Sequence, residues 1–315
     1  MSVTAFTFPS TDRRHELEAR LWTPDDKRPV GTIQIVHGMA EHIDRYQEFA
    51  TYLTDHGWVV AGDNHLGHGH SVGHSPLGYF GKQQPIEHLI NDEFTLTKQL
   101  RHDYPGVPHI ILGHSMGAMM VQLFLTQYGS WVDGAVIIGS AVSHPLLAVV
   151  RPIVAVLNNF SPRRPNHTLD NMAFGGYAKR FPEDFPFQWL SENPANVHRY
   201  NNDPLSGFTF TNNGFSVLFR LATLSTKRRW HQGIPKTLPI LFTSGKEDPV
   251  GGFGLGPRRH VKSLIRNGHQ NVTLRLWPHM RHEILNERDH EQVYAVILKW
   301  IETQTMTNTH SVERK

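Results

Sequence analysis

Short apolar, β-branched runs recur along this chain and alternate with longer stretches that suit helices, a pattern few folds accommodate. Runs of strand length lie at 16–22, 32–36, 58–61, 109–112, 135–138, 240–243 and 273–277. Helical stretches lie between or after them at 46–55, 87–101, 118–128, 258–267 and 291–303, and Gly57 stands where the first of these should stop. Parallel strands need crossover connections, so alternation of this kind predicts an α/β chain with a mostly parallel sheet flanked by helices.

The alternation breaks between residues 143 and 226, where prolines, asparagines and aromatics crowd together and no strand pattern appears. We expect a core formed by 1–143 and 227–315, with 144–226 inserted as a mainly helical cap. Its apolar stretches at 146–157 and 215–224 are the natural cap helices. The closing residues are polar and are expected to fray.

Composition removes several classes of function. With 315 residues, 39% of them hydrophobic and 19% charged, the chain can bury a large core and reads as globular. It has no cysteine, which excludes disulfides, thiolate zinc sites, iron–sulfur clusters and cysteine nucleophiles, and suits a reducing cytoplasm. The formal net charge is +3 with Lys and Arg scattered, so nucleic acid is not an implied partner. The apolar stretch at 145–157 is broken by Arg151 and Pro152 and falls short of the ~20 residues of a membrane span. The N-terminal residues show no basic segment followed by an apolar run, so no signal peptide is expected and a cytoplasmic protein is.

Two segments match Gly-x-Ser-x-Gly, centred on Ser71 and Ser115. A chain of this size meets the pattern by chance about one time in ten, so context must choose. A nucleophilic serine needs a sharp turn between a strand and a helix, which exposes its hydroxyl and points the helix N-terminus at developing negative charge. Ser115 has the strand 109–112 before it and the helix 118–128 after it. Ser71 sits in a glycine-rich loop with no helix behind it and reads as a turn residue.

A serine hydroxyl needs a histidine base, itself oriented by a carboxylate. Asp248 follows the strand 240–243, with Glu247 as its rival. His282 follows the strand 273–277, with His279 as its rival. An oxyanion needs backbone N–H donors. Met116, next to Ser115, supplies one by position, and Met39, in the His37-Gly38-Met39 turn after the strand 32–36, is placed to supply the other.

Five segments, HGMAEHIDRY (37–46), GDNHLGHGHSVG (62–73), GHSMG (113–117), EDPV (247–250) and RHEILNE (281–287), resemble the monoacylglycerol lipase and bacterial lysophospholipase group of α/β-hydrolases. The likeness spans the whole sheet region in order and is looser through the cap. It implies the α/β-hydrolase fold, a Ser115–Asp248–His282 triad, oxyanion amides from Met39 and Met116, no cofactor, and a small amphipathic ester as substrate. Met39 replaces the small residue usual in the group, which predicts a narrower acyl pocket. Glu41, His42, Arg45 and Tyr46 belong to the shared motif and read as braces for the loop. A serine aminopeptidase or thioesterase on the same fold, or a non-catalytic ligand receptor, are the rival readings. For an aminopeptidase, Glu183 and Asp184 are the adjacent acids in the cap.

Several other features carry expectations. The acyl chain should meet Leu146, Leu147, Val150 and Phe215, and the cap should make transient contact with a lipid surface. Phe181, Phe185, Phe187 and Trp189 either line the acyl groove or hold the cap together. His65, His68, His70 and His74 cluster in sequence, but Gly-His turns need no ion and no metal is expected. GGFGLG (251–256) lacks the context of a phosphate loop and reads as a loop beside Asp248.

Overall fold

The computed structural model describes residues 1–25, 28–142, 145–181 and 185–312. Their strands are β1 (Ser2–Pro9), β2 (Glu16–Thr23), β3 (Gly31–Val36), β4 (Trp58–Asp63), β5 (His109–His114), β6 (Gly134–Ile138), β7 (Ile240–Gly245) and β8 (Val272–Trp277). They form one sheet in the order β1-β2-β4-β3-β5-β6-β7-β8. β1, β2 and β4 pair antiparallel, and every pairing from β4 through β3 to β8 is parallel. This is the expected α/β-hydrolase sheet with one strand more than the hydrophobic pattern revealed. β1 escaped because it is an edge strand exposed along nearly its whole length, with Phe8 buried.

The helices are α1 (Gln47–Asp55), α2 (Pro85–Asp103), α3 (Met116–Tyr128), α4 (Leu146–Phe160), α5 (His167–Ala178), α6 (Pro194–Asn202), α7 (Asn212–Ser225), α8 (Leu255–Arg266) and α9 (His290–Val312). Side chains alternate across a strand, so the central strands feed two cores. Ile110, Leu112, Val136, Ile138 and Leu241 pack with residues of α1 and α9. Ile111, Ile137 and Phe242 face the opposite way, onto residues of α2, α3 and α8. α1 stops two residues before Gly57, whose φ of 87° suits glycine and whose amide donates back to Thr54 O at 2.9 Å. α9 continues to Val312, and the last three residues of the segment expected to fray lie outside the described residues. Once a helix is nucleated, each added residue gains a hydrogen bond, so polar composition alone does not end it.

Helices α4 to α7 lie between β6 and β7, and no strand occurs among the described residues there. The expected boundary at 143/144, and the acids Glu183 and Asp184, lie outside the described residues. This segment is tied to the core by Gly207 N–H to Ala40 O at 2.9 Å and Asn213 Oδ1 accepting the Phe80 amide at 2.8 Å. No described helix is long and apolar enough to cross a membrane.

Candidate active site

β5 delivers the chain to Ser115 with nowhere to continue but a sharp turn. Ser115 adopts φ 55°, ψ −113°, a left-handed backbone that costs of order 1–3 kcal/mol outside glycine. Its neighbours show why glycine flanks it. A Cβ on Gly117 would stand 2.0 Å from Val36 O, and one on Gly113 would stand 2.5 Å from Gly117 O. The close crossing of β3, β5 and α3 is therefore possible only with bare backbone at both positions, and it leaves Ser115 partly accessible at the start of α3.

His282 Nε2 lies 2.8 Å from Ser115 Oγ, and His282 Nδ1 lies 2.9 Å from Asp248 Oδ1. Asp248 also accepts hydrogen bonds from Ser244 Oγ at 3.0 Å and the Val250 amide at 2.9 Å. Burial opposes ionisation of Asp248, but His282 and these donors outweigh it and hold the carboxyl below its ordinary range. Gly139 makes room for the imidazole, since a Cβ there would stand 2.9 Å from His282 Cε1. Nothing in the sequence pattern singled out Gly139.

The rivals lie elsewhere. His279 takes φ 55° and turns outward with its side chain 86% exposed, 3.7 Å from Glu247 Oε1. Ser71 is buried and its Oγ accepts the Glu18 amide at 2.9 Å, bracing β2. His65 and His68 are buried while His70 and His74 are exposed, so the four do not converge. GGFGLG forms a tight turn into α8, with the Phe253 amide 2.8 Å from Asp248 O.

Gly38 packs against the elbow: a Cβ there would stand 3.2 Å from Ser115 Cβ. The amides on either side of Met39 are committed, Gly38 N–H to Glu41 Oε1 at 2.6 Å and Ala40 N–H to His68 Nε2 at 3.1 Å. No described residue accepts from the Met39 amide. Below this loop, Arg45 bridges Glu41 and Glu283, and Tyr46 O–H donates to Glu41 Oε1 at 2.9 Å. Burial works against charge on all three, yet Arg45 holds both carboxyls below their ordinary range. His114 points Nδ1 at Glu41 at 3.2 Å and Nε2 at His282 O at 3.3 Å. Burial resists its protonation, but the Glu41 carboxylate raises its pKa. His42 takes a separate partner, Asp203, at 2.6 Å.

Ser115 and His282 open into a cavity of about 540 Å³ whose walls include Met39, Leu146, Leu147 and Val150. Phe215 is a correction. It is fully buried against Phe210 and Phe219 and does not reach the cavity, whereas Leu218, Phe219 and Ala222 on the same helix do. α7 is apolar on more than one face, so its sequence could not say which side looks inward. The cap aromatics divide: Phe187 and Trp189 line the cavity, Phe181 lies 4.1 Å beneath the Arg281 guanidinium, and Phe185 stacks on His198. Asp170, Tyr177 and Arg180 also line the cavity and had no signal in the sequence.

A family model described as Hydrolase_4, serine aminopeptidase S33, matches residues 27–289. The chain belongs to this family. Like the rest of the Hydrolase_4 group it is an α/β-hydrolase, and it is an enzyme. The resemblance to the monoacylglycerol lipases holds over most of the chain. A monoacylglycerol lipase from Mycolicibacterium smegmatis is 29% identical over 287 residues, covering 89% of this chain and 91% of that protein. Among solved structures, a thermostable carboxyl esterase from Bacillus coagulans in complex with glycerol superposes with a TM-score of 0.90 at 28% identity, over 97% of this chain and 99% of that one. A lipase in an open form gives a TM-score of 0.88, also at 28% identity, over 96% and 99%.

Proposed function

We propose that this hydrolase is a serine esterase that cleaves monoacylglycerol- or lysophospholipid-like esters through an acyl-enzyme. Ser115 attacks the ester carbonyl while His282 takes its proton and Asp248 holds the imidazole in the productive tautomer. The Met39 and Met116 amides receive the oxyanion, and His282 then returns the proton to the leaving alcohol and activates water for deacylation. The observation that carries this reading is the continuous Ser115–His282–Asp248 relay opening on an apolar-walled cavity.

The segment 144–226 acts as a cap over Ser115. α4 supports that role, because Leu147 and Val150 face the cavity while Val149, Ile153, Val156 and Phe160 form an outward stripe, with Val149 65% and Phe160 82% exposed. An apolar stripe at helical spacing on the outside of a cap is suited to transient contact with a lipid surface, from which an amphipathic ester enters. The absence of cysteine fits a cytoplasmic setting.

Asp170 favours a second reading. It puts a half-buried carboxylate on the cavity wall, the kind of group that pairs with a substrate amine. Assays with p-nitrophenyl esters of graded length, monoacylglycerol, lysophosphatidylcholine and an aminoacyl amide separate the two. The esterase reading expects turnover of the esters and silence on the amide; amide turnover above ester turnover overturns it.

A further inference from the structure

Behind the oxyanion loop the protein buries His37, His65 and His68 against Asp63 and Glu93, and none of these groups belongs to the relay at Ser115. The His37 and His65 rings stack at 3.7 Å, and His68 crosses His37 at 5.0 Å. Their hydrogen bonds dictate where the protons are. His37 Nδ1–H donates to Gly38 O at 2.8 Å, so its Nε2 accepts the His65 amide at 3.2 Å. His68 Nδ1–H donates to Leu66 O at 3.2 Å, so its Nε2 accepts the Ala40 amide at 3.1 Å. A ring that donates from one nitrogen and accepts at the other is neutral.

His65 is the opposite case. Its Nε2–H donates to His37 O at 3.1 Å. Its Nδ1 faces Glu93 Oε1 at 3.1 Å and Asp63 Oδ2 at 3.5 Å, oxygens with no other hydrogen-bond partner among the described residues. An N–H at Nδ1 is attracted by both acids, whereas a lone pair there is repelled by the Asp63 carboxylate and would need Glu93 to carry the proton instead. A metal ion would also satisfy the three side chains, whose donor atoms lie within 4.8 Å of one another. A structural zinc ion takes four ligands, however, and no fourth described donor joins them.

We propose that His37, His65 and His68 form a proton-ordered clamp, in which a cationic His65 between Asp63 and Glu93 keeps His37 and His68 neutral, so that His37 donating to Gly38 O and His68 accepting the Ala40 amide together position the Met39 amide. The clamp rests on the reading of Met39 as an oxyanion donor. The amides either side of Met39 are tethered, Gly38 to Glu41 and Ala40 to His68, so the intervening peptide is aimed by both. The surrounding charges agree. Burial opposes charge on His65, but Asp63 and Glu93 push it up to about 10. Burial, then the His65 charge, pushes His68 down to about 3, with Glu41 opposing and His42 reinforcing. His37 falls well below its ordinary value for the same two reasons, with His68 adding and Glu41 opposing. Glu93 itself is raised to about 7 by burial and by Asp63. His65, His68 and His37 are positioning residues, since none lies on the Ser115–His282–Asp248 relay.

The test combines spectroscopy with kinetics on the full chain. Nitrogen NMR of ¹⁵N-histidine protein at pH 7, assigned by single substitutions, should show both His65 nitrogens protonated and one protonated nitrogen each on His37 and His68. A neutral His65, a doubly protonated His68, or a stoichiometric metal by elemental analysis overturns the clamp. On p-nitrophenyl butyrate, His68→Leu should lower kcat between about tenfold and a hundredfold with KM unchanged, and His68→Gln, which restores an acceptor, should recover most of the loss. A folded His68→Leu enzyme with full kcat overturns the proposal. Should that variant fail to fold, Glu93→Gln decides, because losing one carboxylate must bring the His65 titration down toward neutral pH, and an unmoved titration overturns the clamp. The NMR measurement needs no activity, so failure of the esterase reading and failure of the clamp are separate results.

Discussion

Arg45 and Glu283, 238 residues apart, meet in a two-pronged pair, Nη1 to Oε1 at 2.8 Å and Nη2 to Oε2 at 2.7 Å, one residue beyond His282. The same guanidinium holds Glu41, so the loop after β3 and the histidine loop share one cation. Removing one partner of such a buried group leaves charge uncompensated, which typically costs 3–5 kcal/mol. Arg45→Met should therefore lower stability by about that amount at pH 7, measured by urea unfolding.

The sign of the pH dependence follows from the same pair. Glu41 and Glu283 are both held below the ordinary carboxylate range, burial being outweighed by Arg45. Their contribution is present above the unfolded-state pKa, about 4.3, and is lost as pH falls through the lower folded values. Wild-type stability should hold at mildly acid pH and decline below about pH 4, and in Arg45→Met this acid decline should shrink, because without the cation burial raises the two carboxyls and protonating them no longer costs the fold. Identical acid profiles for the two proteins would show that Arg45 does not set these groups.

Ser115→Ala should abolish ester turnover and fluorophosphonate labelling. Ser71→Ala should keep both while losing about 1–2 kcal/mol of stability, because its buried hydroxyl satisfies the Glu18 amide. Labelling of the Ser115 variant, or a folded but inactive Ser71 variant, would exchange their roles.

Asp248→Asn should reduce kcat about 10⁴-fold, since an amide favours the wrong imidazole tautomer. His279→Ala and Glu247→Gln should stay within about twofold of wild type, because surface changes away from a site act weakly. Steady-state kinetics on one short ester distinguishes these outcomes.

The cavity predicts a chain-length optimum. Each buried substrate methylene contributes at most about 0.8 kcal/mol, roughly fourfold in kcat/KM, until the walls end the groove. Val150→Trp or a charge at Leu147 should move the optimum to shorter esters while acetyl ester turnover survives, and Met39→Ala should admit bulkier acyl groups. Phe215→Ala should leave the optimum in place and cost about 3–5 kcal/mol of stability, because it empties core and not cavity. A profile that no cap substitution alters would show that the cap does not bind the acyl chain.

Local chemistry explains what was readable without coordinates. The elbow at Ser115 is a strand, a tight turn and a helix in one continuous stretch, and its glycines are demanded by contacts a few residues away in sequence or across a neighbouring strand. Asp248 and His282 are reached by the same logic, since each follows its own strand at the same sheet edge. Periodicity marked seven of the eight strands; β1 was lost because an exposed edge strand need not be apolar.

By itself, then, the order of residues determined the sheet, the elbow and a choice of two carboxylates and two histidines. Tertiary structure brings one of each into line with Ser115. His279 and His282 are three positions apart, and a left-handed turn at His279 sends one imidazole to solvent and leaves the other against Ser115. It also chose the inward face of α7, which turned Phe215 into core and Leu218 and Phe219 into wall. Arg45 with Glu283, and His65 with Asp63 and Glu93, join elements distant in the chain, and their charge states depend on burial and on partners that no local spacing announces.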